Sequence, residues 1–227
     1  MIVEYFTSST VSVEQVFDLW KENDVLIFMI YLDDYPYPTA NYLNEMERIH
    51  LDSLKTEHFK KRYIVSRLIL KYLSGLIKEK TWSSISTIKD KHGKVHVCDH
   101  RDLHVCIAYT KNIIALAISK IDLGMDIEVI KSRSVTSISK SIDRSLPDNS
   151  PSTNTSDFLV MWTLKEAYCK LSNETMFSNL NRKLDLSDVY HSSYIIDAEY
   201  LLALVTKSHP YKVSIAFLQK IDFLTLQ

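Results

Sequence analysis

The chain has 227 residues, 46% of them hydrophobic and 24% charged, values of an ordinary folded protein that exclude a disordered or fibrous chain. Lysine and arginine number 27 against 28 aspartate and glutamate, a formal net charge of −1, so the overall basic excess of a general nucleic-acid binder is missing. Only three glycines occur, Gly75, Gly93 and Gly124, which leaves neither a G-x-G-x-x-G dinucleotide turn nor a P-loop.

From the N-terminus, Ser12 and Gln15 have capping-box spacing and open an amphipathic helix over Val13 to Lys21. Val25 to Leu32 reads as a buried strand, followed by a proline-containing turn at Tyr35 to Pro38. Two helical segments fill Asn41 to Lys80, the second with apolar residues at Phe59, Tyr63, Leu68, Tyr72, Leu73, Leu76 and Ile77. Its other face carries Lys60, Lys61, Arg62, Arg67, Lys71 and Lys78 and is expected to be solvated. Lys91 to Lys94 around Gly93 predicts a hairpin turn, and Leu103 to Tyr109 and Asn112 to Ser119 predict strands. Ile121 to Val129 alternates as a strand does. The serine-rich, proline-punctuated stretch Lys131 to Ser156 is expected to be a mobile connection. A helix over Asp157 to Leu171 and two or three strands between Tyr194 and Leu226 complete the chain. This order predicts two α+β halves with a junction near Ser119, without a residue-level repeat.

Cys98, Cys106 and Cys169 are odd in number, widely spaced and without a C-x-x-C. They are expected to be buried apolar residues in a reducing compartment rather than a disulfide or zinc framework. Met1 to Thr10 lacks the basic n-region of a secretory signal, and the longest apolar run, Val25 to Leu32, falls far short of the ~20 residues of a membrane span. A cytoplasmic protein engaging neither membrane nor nucleic acid is the expectation.

Alternation places Asp122, Gly124, Asp126 and Glu128 on one face of their strand. The Cα atoms of Asp126 and Glu128 would lie about 6.6 Å apart at ~3.3 Å rise per residue, close enough for both carboxylates to serve one hard cation. A plain solvent-facing strand is the other reading. On the following helix, Phe158, Met161, Trp162, Tyr168 and Leu171 are expected to face a core. Glu166 and Lys170, four residues apart, share a face there as an exposed ion pair or as catalytic groups.

The strand Gly124-Met-Asp126-Ile-Glu128, followed by Trp162-Thr-Leu-Lys165-Glu166-Ala-Tyr-Cys-Lys170 on a helix, resembles the paired signatures of the 4′-phosphopantetheinyl transferase superfamily. The likeness is to its larger, single-chain branch, which modifies carrier proteins of nonribosomal peptide and polyketide assembly lines. Weaker likeness covers Leu43 to Arg48, the basic helix Arg62 to Lys71 and the Gly93-Lys94 turn, so that it spans roughly residues 40 to 180. The resemblance implies an α+β fold of two similar α/β halves with the active site between them. Residues 1–118 would contact coenzyme A phosphates, and residues 119–227 would carry the metal carboxylates and the catalytic helix. It further implies Mg²⁺ held by Asp126, Glu128 and Glu166 on the pyrophosphate of coenzyme A. Glu166, or a water it holds, would take the proton from a serine of an acyl or peptidyl carrier protein, and Lys170 would offset phosphoryl charge as 3′,5′-ADP leaves. Arg48, Arg62 and Lys94 are assigned to phosphates of coenzyme A, and Lys165 to a structural role. Lys60, Lys61 and Arg67 would steer an acidic carrier protein. A site within one chain needs no partner subunit, so a monomer is expected.

The family's N-x-S-H-S segment is replaced by Cys106-Ile-Ala108-Tyr109-Thr110, leaving the Tyr109 phenol where an imidazolium would hold the 3′-phosphate. After the helix, K-x-x-G-x-G becomes Lys170-Leu-Ser-Asn173-Glu-Thr175, and Asn173 is a residue that tolerates a left-handed backbone. Two functions follow: an active transferase for secondary-metabolite assembly lines, or a relative that keeps the carboxylates and acts as a carrier-protein or partner-binding module.

Overall fold

The computed structural model describes residues 3–36, 38–130, 155–175 and 184–223. Among them the chain is a mixed α+β fold with three sheets and four α-helices. In chain order the elements are β1 (Val3–Phe6), β2 (Thr10–Val11), α1 (Val16–Glu22), β3 (Val25–Tyr31), α2 (Glu45–Ser53), α3 (Glu57–Ile77), β4 (Thr87–Lys89), β5 (Val95–Val97), β6 (His104–Thr110), β7 (Ile113–Ser119), β8 (Leu123–Val129), α4 (Thr155–Ser172), β9 (Tyr190–Ile196), β10 (Tyr200–Thr206) and β11 (Val213–Leu218). The serine-rich stretch lies, as far as residue 154, outside the described residues. No described helix is long and apolar enough to cross a membrane.

The chain divides into two compact units, and the boundary is not a single cut between 118 and 119. Unit 1 comprises Met1–Ser8, Ala108–Lys111 and Asp122–His209; unit 2 comprises Ser9–Ile107, Asn112–Ile121 and Pro210–Gln227. The expected junction falls close to the crossing at Ile121, but each terminal strand has joined the other part of the sequence. β1 pairs in parallel with β9, Val3 opposite Ser193, and β11 pairs in parallel with β3, Val213 opposite Val25. Parallel partners cannot be joined by a tight turn, so distant segments are natural suppliers for them.

Unit 2 is built on the sheet β2-β11-β3-β7-β6. β3 and β7 are antiparallel with Ile27 opposite Ala117, and all of β7 and most of β3 are buried, which is why both read as continuous apolar runs rather than alternating ones. Helix α3 begins at Thr56, whose side chain accepts the Phe59 N–H, and buries Val65, Leu68, Ile69 and Leu73. Two members of its basic face depart from the expected solvated position: Arg67 is 3% and Lys71 2% exposed. Lys71 Nζ donates to Glu47 Oε2 at 2.6 Å and to the Tyr42 carbonyl at 2.7 Å. Glu47 also accepts the Asn44 N–H at 2.8 Å and the Thr87 hydroxyl. A buried ion pair with its remaining acceptor directions filled thus ties α2, α3 and β4 together. Gly93, at φ +99, makes the β4–β5 turn that the sequence predicts.

Unit 1 carries the sheet β1-β9-β10-β8 with α4 packed on β8 and β10. The tail expected to hold two or three strands holds three, with β9 and β10 in this unit and β11 in the other. Each larger sheet contains the same sequence of events. Apart from the β4–β5 hairpin inserted before β6, a strand, a helical stretch and two adjoining strands follow one another, and the first strand pairs antiparallel with the last, β3 with β7 and β8 with β10. Cys106 and Cys169 are buried, and none of the three cysteines forms a disulfide.

Candidate functional site

In unit 1 the approach of α4 to β8 depends on one glycine. A Cβ at Gly124 would lie 2.0 Å from the Ala167 carbonyl oxygen and 2.4 Å from the Leu171 nitrogen, so only glycine permits this distance between helix and strand. Ala167 and Ala203, both fully buried, extend the close contact. The face that alternation assigned to Asp126 and Glu128 is therefore not a solvent-facing strand surface; α4 covers it.

This packing brings the predicted residues together. Lys170 Nζ donates to Asp126 Oδ1 at 2.7 Å and to the Met125 carbonyl at 3.0 Å. Glu166, one turn earlier, feels the charges of Asp126, Glu128 and Lys170. Asp126 is 4% exposed, and its Oδ2 is buried without a hydrogen-bond partner among the described residues. Burial pushes the Asp126 carboxyl above the usual carboxylate range, against the pull of the Lys170 ammonium. Burial and then the Asp126 charge raise Glu128 to about 6, opposed by Lys170 and by a hydrogen bond from Trp162. The same two causes raise Glu166 to about 7, the range in which a carboxylate works as a general base near neutral pH. Lys165, expected to be structural, is 8% exposed and held below the ordinary lysine value by burial.

The three carboxylates do not form a ready-made ligand set. No group of three or more His, Cys, Asp or Glu among the described residues is placed to hold a metal ion, and Lys170 already supplies the positive charge at Asp126. Their chemistry nevertheless fits a hard divalent cation. The donors are all oxygen, Asp126 Oδ2 has no hydrogen-bond partner among the described residues, and burial and then the Asp126 charge raise both glutamates, a cost that a cation would relieve.

The expected phosphate ligands are differently placed. Arg48 on α2 is turned onto its own loop, donating from Nε to the Leu43 carbonyl and from Nη2 to the Asn41 carbonyl, both at 3.0 Å. The Arg62 guanidinium lies 5.0 Å from the Phe59 ring centroid. Lys94 closes the Gly93 turn through its backbone, its carbonyl accepting the Asp90 N–H at 2.9 Å. Tyr109 is half-buried on β6 and belongs to unit 1, whereas these three basic residues belong to unit 2.

A cluster that the sequence did not single out lies instead in unit 2. A cavity of about 340 Å³ is lined by His50, Arg67, Lys89, Glu47, Thr87 and Tyr63, among others. Arg67 reaches it from α3 with Nη1 buried and unpartnered, its guanidinium 4.9 Å from the Tyr63 ring centroid. Burial, then Lys89 and Arg67, lower the His50 pKa, and burial, then Arg67, lower that of Lys89. These three basic groups share the cavity with the carboxylates of Glu47 and Asp90. The basic pattern of α3 signalled Arg67, but its burial pointed it into the cavity and away from any docking surface. Lys60 and Lys61 remain on the outside, in a shallow depression with Pro36, Pro38 and His58.

Two further readings from the sequence have structural counterparts. Asn173 stands at φ +58 just after α4, and the Glu174 N–H donates to the Cys169 carbonyl at 3.0 Å, the αL helix ending that a glycine usually makes. Trp162 and Met161, both expected in the core, are half-buried and 39% exposed respectively. No family model matches the chain, and no curated protein matches it.

Proposed function

We propose that the protein transfers the 4′-phosphopantetheine group of coenzyme A to a serine of an apo acyl or peptidyl carrier protein, with Mg²⁺, releasing 3′,5′-ADP. The observation that carries this reading is the packing of α4 on β8 at Gly124, which gathers Asp126, Glu128, Glu166 and Lys170 in one shared electrostatic environment. The shared order of strand, helical stretch and two adjoining strands in the larger sheets supports the view that the chain consists of two similar α/β halves.

Asp126, Glu128 and Glu166 are the residues that would hold the cation, which when bound screens the pyrophosphate and draws charge from the phosphoryl oxygens. Glu166, or a water it holds, takes the proton of the serine hydroxyl as its oxygen attacks the β-phosphorus. Lys170 offsets negative charge growing on the phosphoryl oxygens and, through its bond to Asp126, keeps that carboxylate aligned. Arg48 is not carried forward as a phosphate ligand, because its guanidinium is occupied by backbone carbonyls.

The test is incubation with Mg²⁺, coenzyme A and apo carrier proteins of several types. The expected result is a mass gain of one phosphopantetheine group on the carrier serine, lost in Asp126→Ala and Glu166→Ala while both variants stay folded. Absence of any gain across the carriers refutes the transferase. A second reading, a non-catalytic carrier-protein or partner-binding module, is favoured by one observation: Lys170 already neutralises Asp126. Under that reading carrier protein binds but its mass never changes.

A further inference from the structure

We propose that the cavity of unit 2 binds a small monocarboxylate with an apolar tail, the carboxylate on Arg67 and the tail against Met46, Ile49 and Ile88. This goes beyond the transferase reading and does not depend on it. At about 340 Å³ the cavity has the size of small-molecule sites, which pair an apolar lining with a few placed polar groups. Its polar end is a buried cation. Arg67 is 3% exposed and lines the cavity, and its Nη1 has no hydrogen-bond partner among the described residues. A buried charged donor without an acceptor is costly, and a carboxylate oxygen would remove that cost. The Tyr63 ring fixes the groups on either side of it, with the Arg67 guanidinium 4.9 Å and the His50 ring centroid 4.8 Å from its own centroid.

The charges around the cavity select a single negative charge. Glu47 is committed elsewhere: it pairs with the buried Lys71 and accepts the Asn44 N–H and the Thr87 hydroxyl. Asp90 Oδ1 accepts the backbone N–H groups of His92 and Lys94, and its Oδ2 lies 3.1 Å from His96 Nε2. Glu47 and Lys71 cancel, and Asp90 offsets one of the two cations Arg67 and Lys89. Burial holds His50 below the ordinary imidazole value, so above about pH 7 it is neutral and one positive charge remains. That balance suits a carboxylate better than a sulfate or phosphate dianion. The mouth supplies the contact for the tail. Met46, Ile49 and Ile88 are exposed and all three line the cavity. Met46 and Ile49 stand three residues apart on α2, hence on one helix face, and Ile88 faces them from β4. Three large apolar side chains thus meet at the opening above a buried cation.

The probes are hexanoate, acetate, sulfate and 1-hexanol, each titrated into the full chain at about pH 7.5, where His50 is neutral, and followed by amide chemical shifts. Hexanoate is expected to shift amides around His50, Arg67 and Ile88, and to bind about tenfold or more tighter than acetate, which lacks its buried methylenes. Arg67→Met is expected to weaken hexanoate about tenfold or more. Ile49→Gln, at an exposed position that leaves the fold intact, is expected to weaken hexanoate about threefold or more while acetate is unchanged, which keeps the test decisive should Arg67→Met fail to fold. Hexanol binding as tightly as hexanoate overturns the role of Arg67, and acetate matching hexanoate overturns that of the apolar mouth. Sulfate binding more tightly than hexanoate overturns the single-charge ligand. Absence of cavity shifts with every probe overturns the site.

Discussion

Replacing Gly124 with alanine tests the central geometric claim. The new methyl would sit 2.0 Å from the Ala167 carbonyl oxygen and 2.4 Å from the Leu171 nitrogen, where carbon and oxygen normally stay about 3.3–3.6 Å apart. Both atoms are helix backbone, so no rotamer change relieves the overlap, and α4 must move off β8 by roughly 1 Å or more. Such a shift stretches the 2.7 Å Lys170–Asp126 bond beyond hydrogen-bond range and strands a buried carboxylate. Overpacking costs about 1–3 kcal/mol and a broken buried pair about 3–5 kcal/mol; because the two overlap, a total near 3 kcal/mol is expected. At this chain length that corresponds to a midpoint lower by about 6–12 °C, measured by thermal and urea denaturation. Gly75→Ala is the graded control, since its Cβ would meet the Lys80 oxygen and the Trp82 Cα only at 2.9 Å. A Gly124→Ala protein within about 0.5 kcal/mol of wild type would mean that α4 does not rest on β8 at this point, and the placement of Glu166 and Lys170 would fall with it.

The buried Glu47–Lys71 pair makes a second, non-additive prediction. Glu47→Leu and Lys71→Met singly should each cost about 3–5 kcal/mol in urea denaturation, while the double variant recovers most of the loss; additive losses would contradict the pairing. At the end of α4, Asn173→Ala should lower stability by about 1 kcal/mol and Asn173→Gly should be nearly neutral, and equal midpoints for the two variants would refute the left-handed ending. In the cavity of unit 2, His50 is held below the ordinary imidazole value, so the unfolded chain takes up that proton first. Stability contributed by this group is therefore lost as pH falls through about 6.5. A bound anion reverses the penalty. Sulfate affinity by calorimetry should rise as pH falls from about 8 to 5.5, with proton uptake that disappears in His50→Gln, and a flat profile would exclude His50 from the site.

Much of the local structure was legible because its causes are local. Alternation through Gly124, Asp126 and Glu128 specified a strand, helical spacing specified α3 and α4, and the i,i+4 relation of Glu166 and Lys170 placed them on one helix face. Gly93 and Asn173 stand at the positive φ values that their residue types suggested. The motif residues Glu166 and Lys170 carried the candidate site, although the Trp162 indole was expected in the core and is half-buried.

What the sequence could not specify depended on partners far along the chain. Arg67 and Lys71 read as members of a solvated basic face because their periodicity is that of a surface, yet Glu47 lies 24 residues from Lys71 and Thr87 40 residues from Glu47. The exchange of β1 and β11 rests on parallel pairings across roughly 190 residues, for which neither strand carries a turn or register signal. By itself the sequence determined which residues share a face and which backbone positions tolerate glycine-like geometry, since these follow from the fixed periods of helix and strand. Only the tertiary structure decided which faces were buried. Burial is a property of what packs on a face, and it turned Arg67 into a cavity wall and left Asp126 with an oxygen that no hydrogen bond from the described residues reaches.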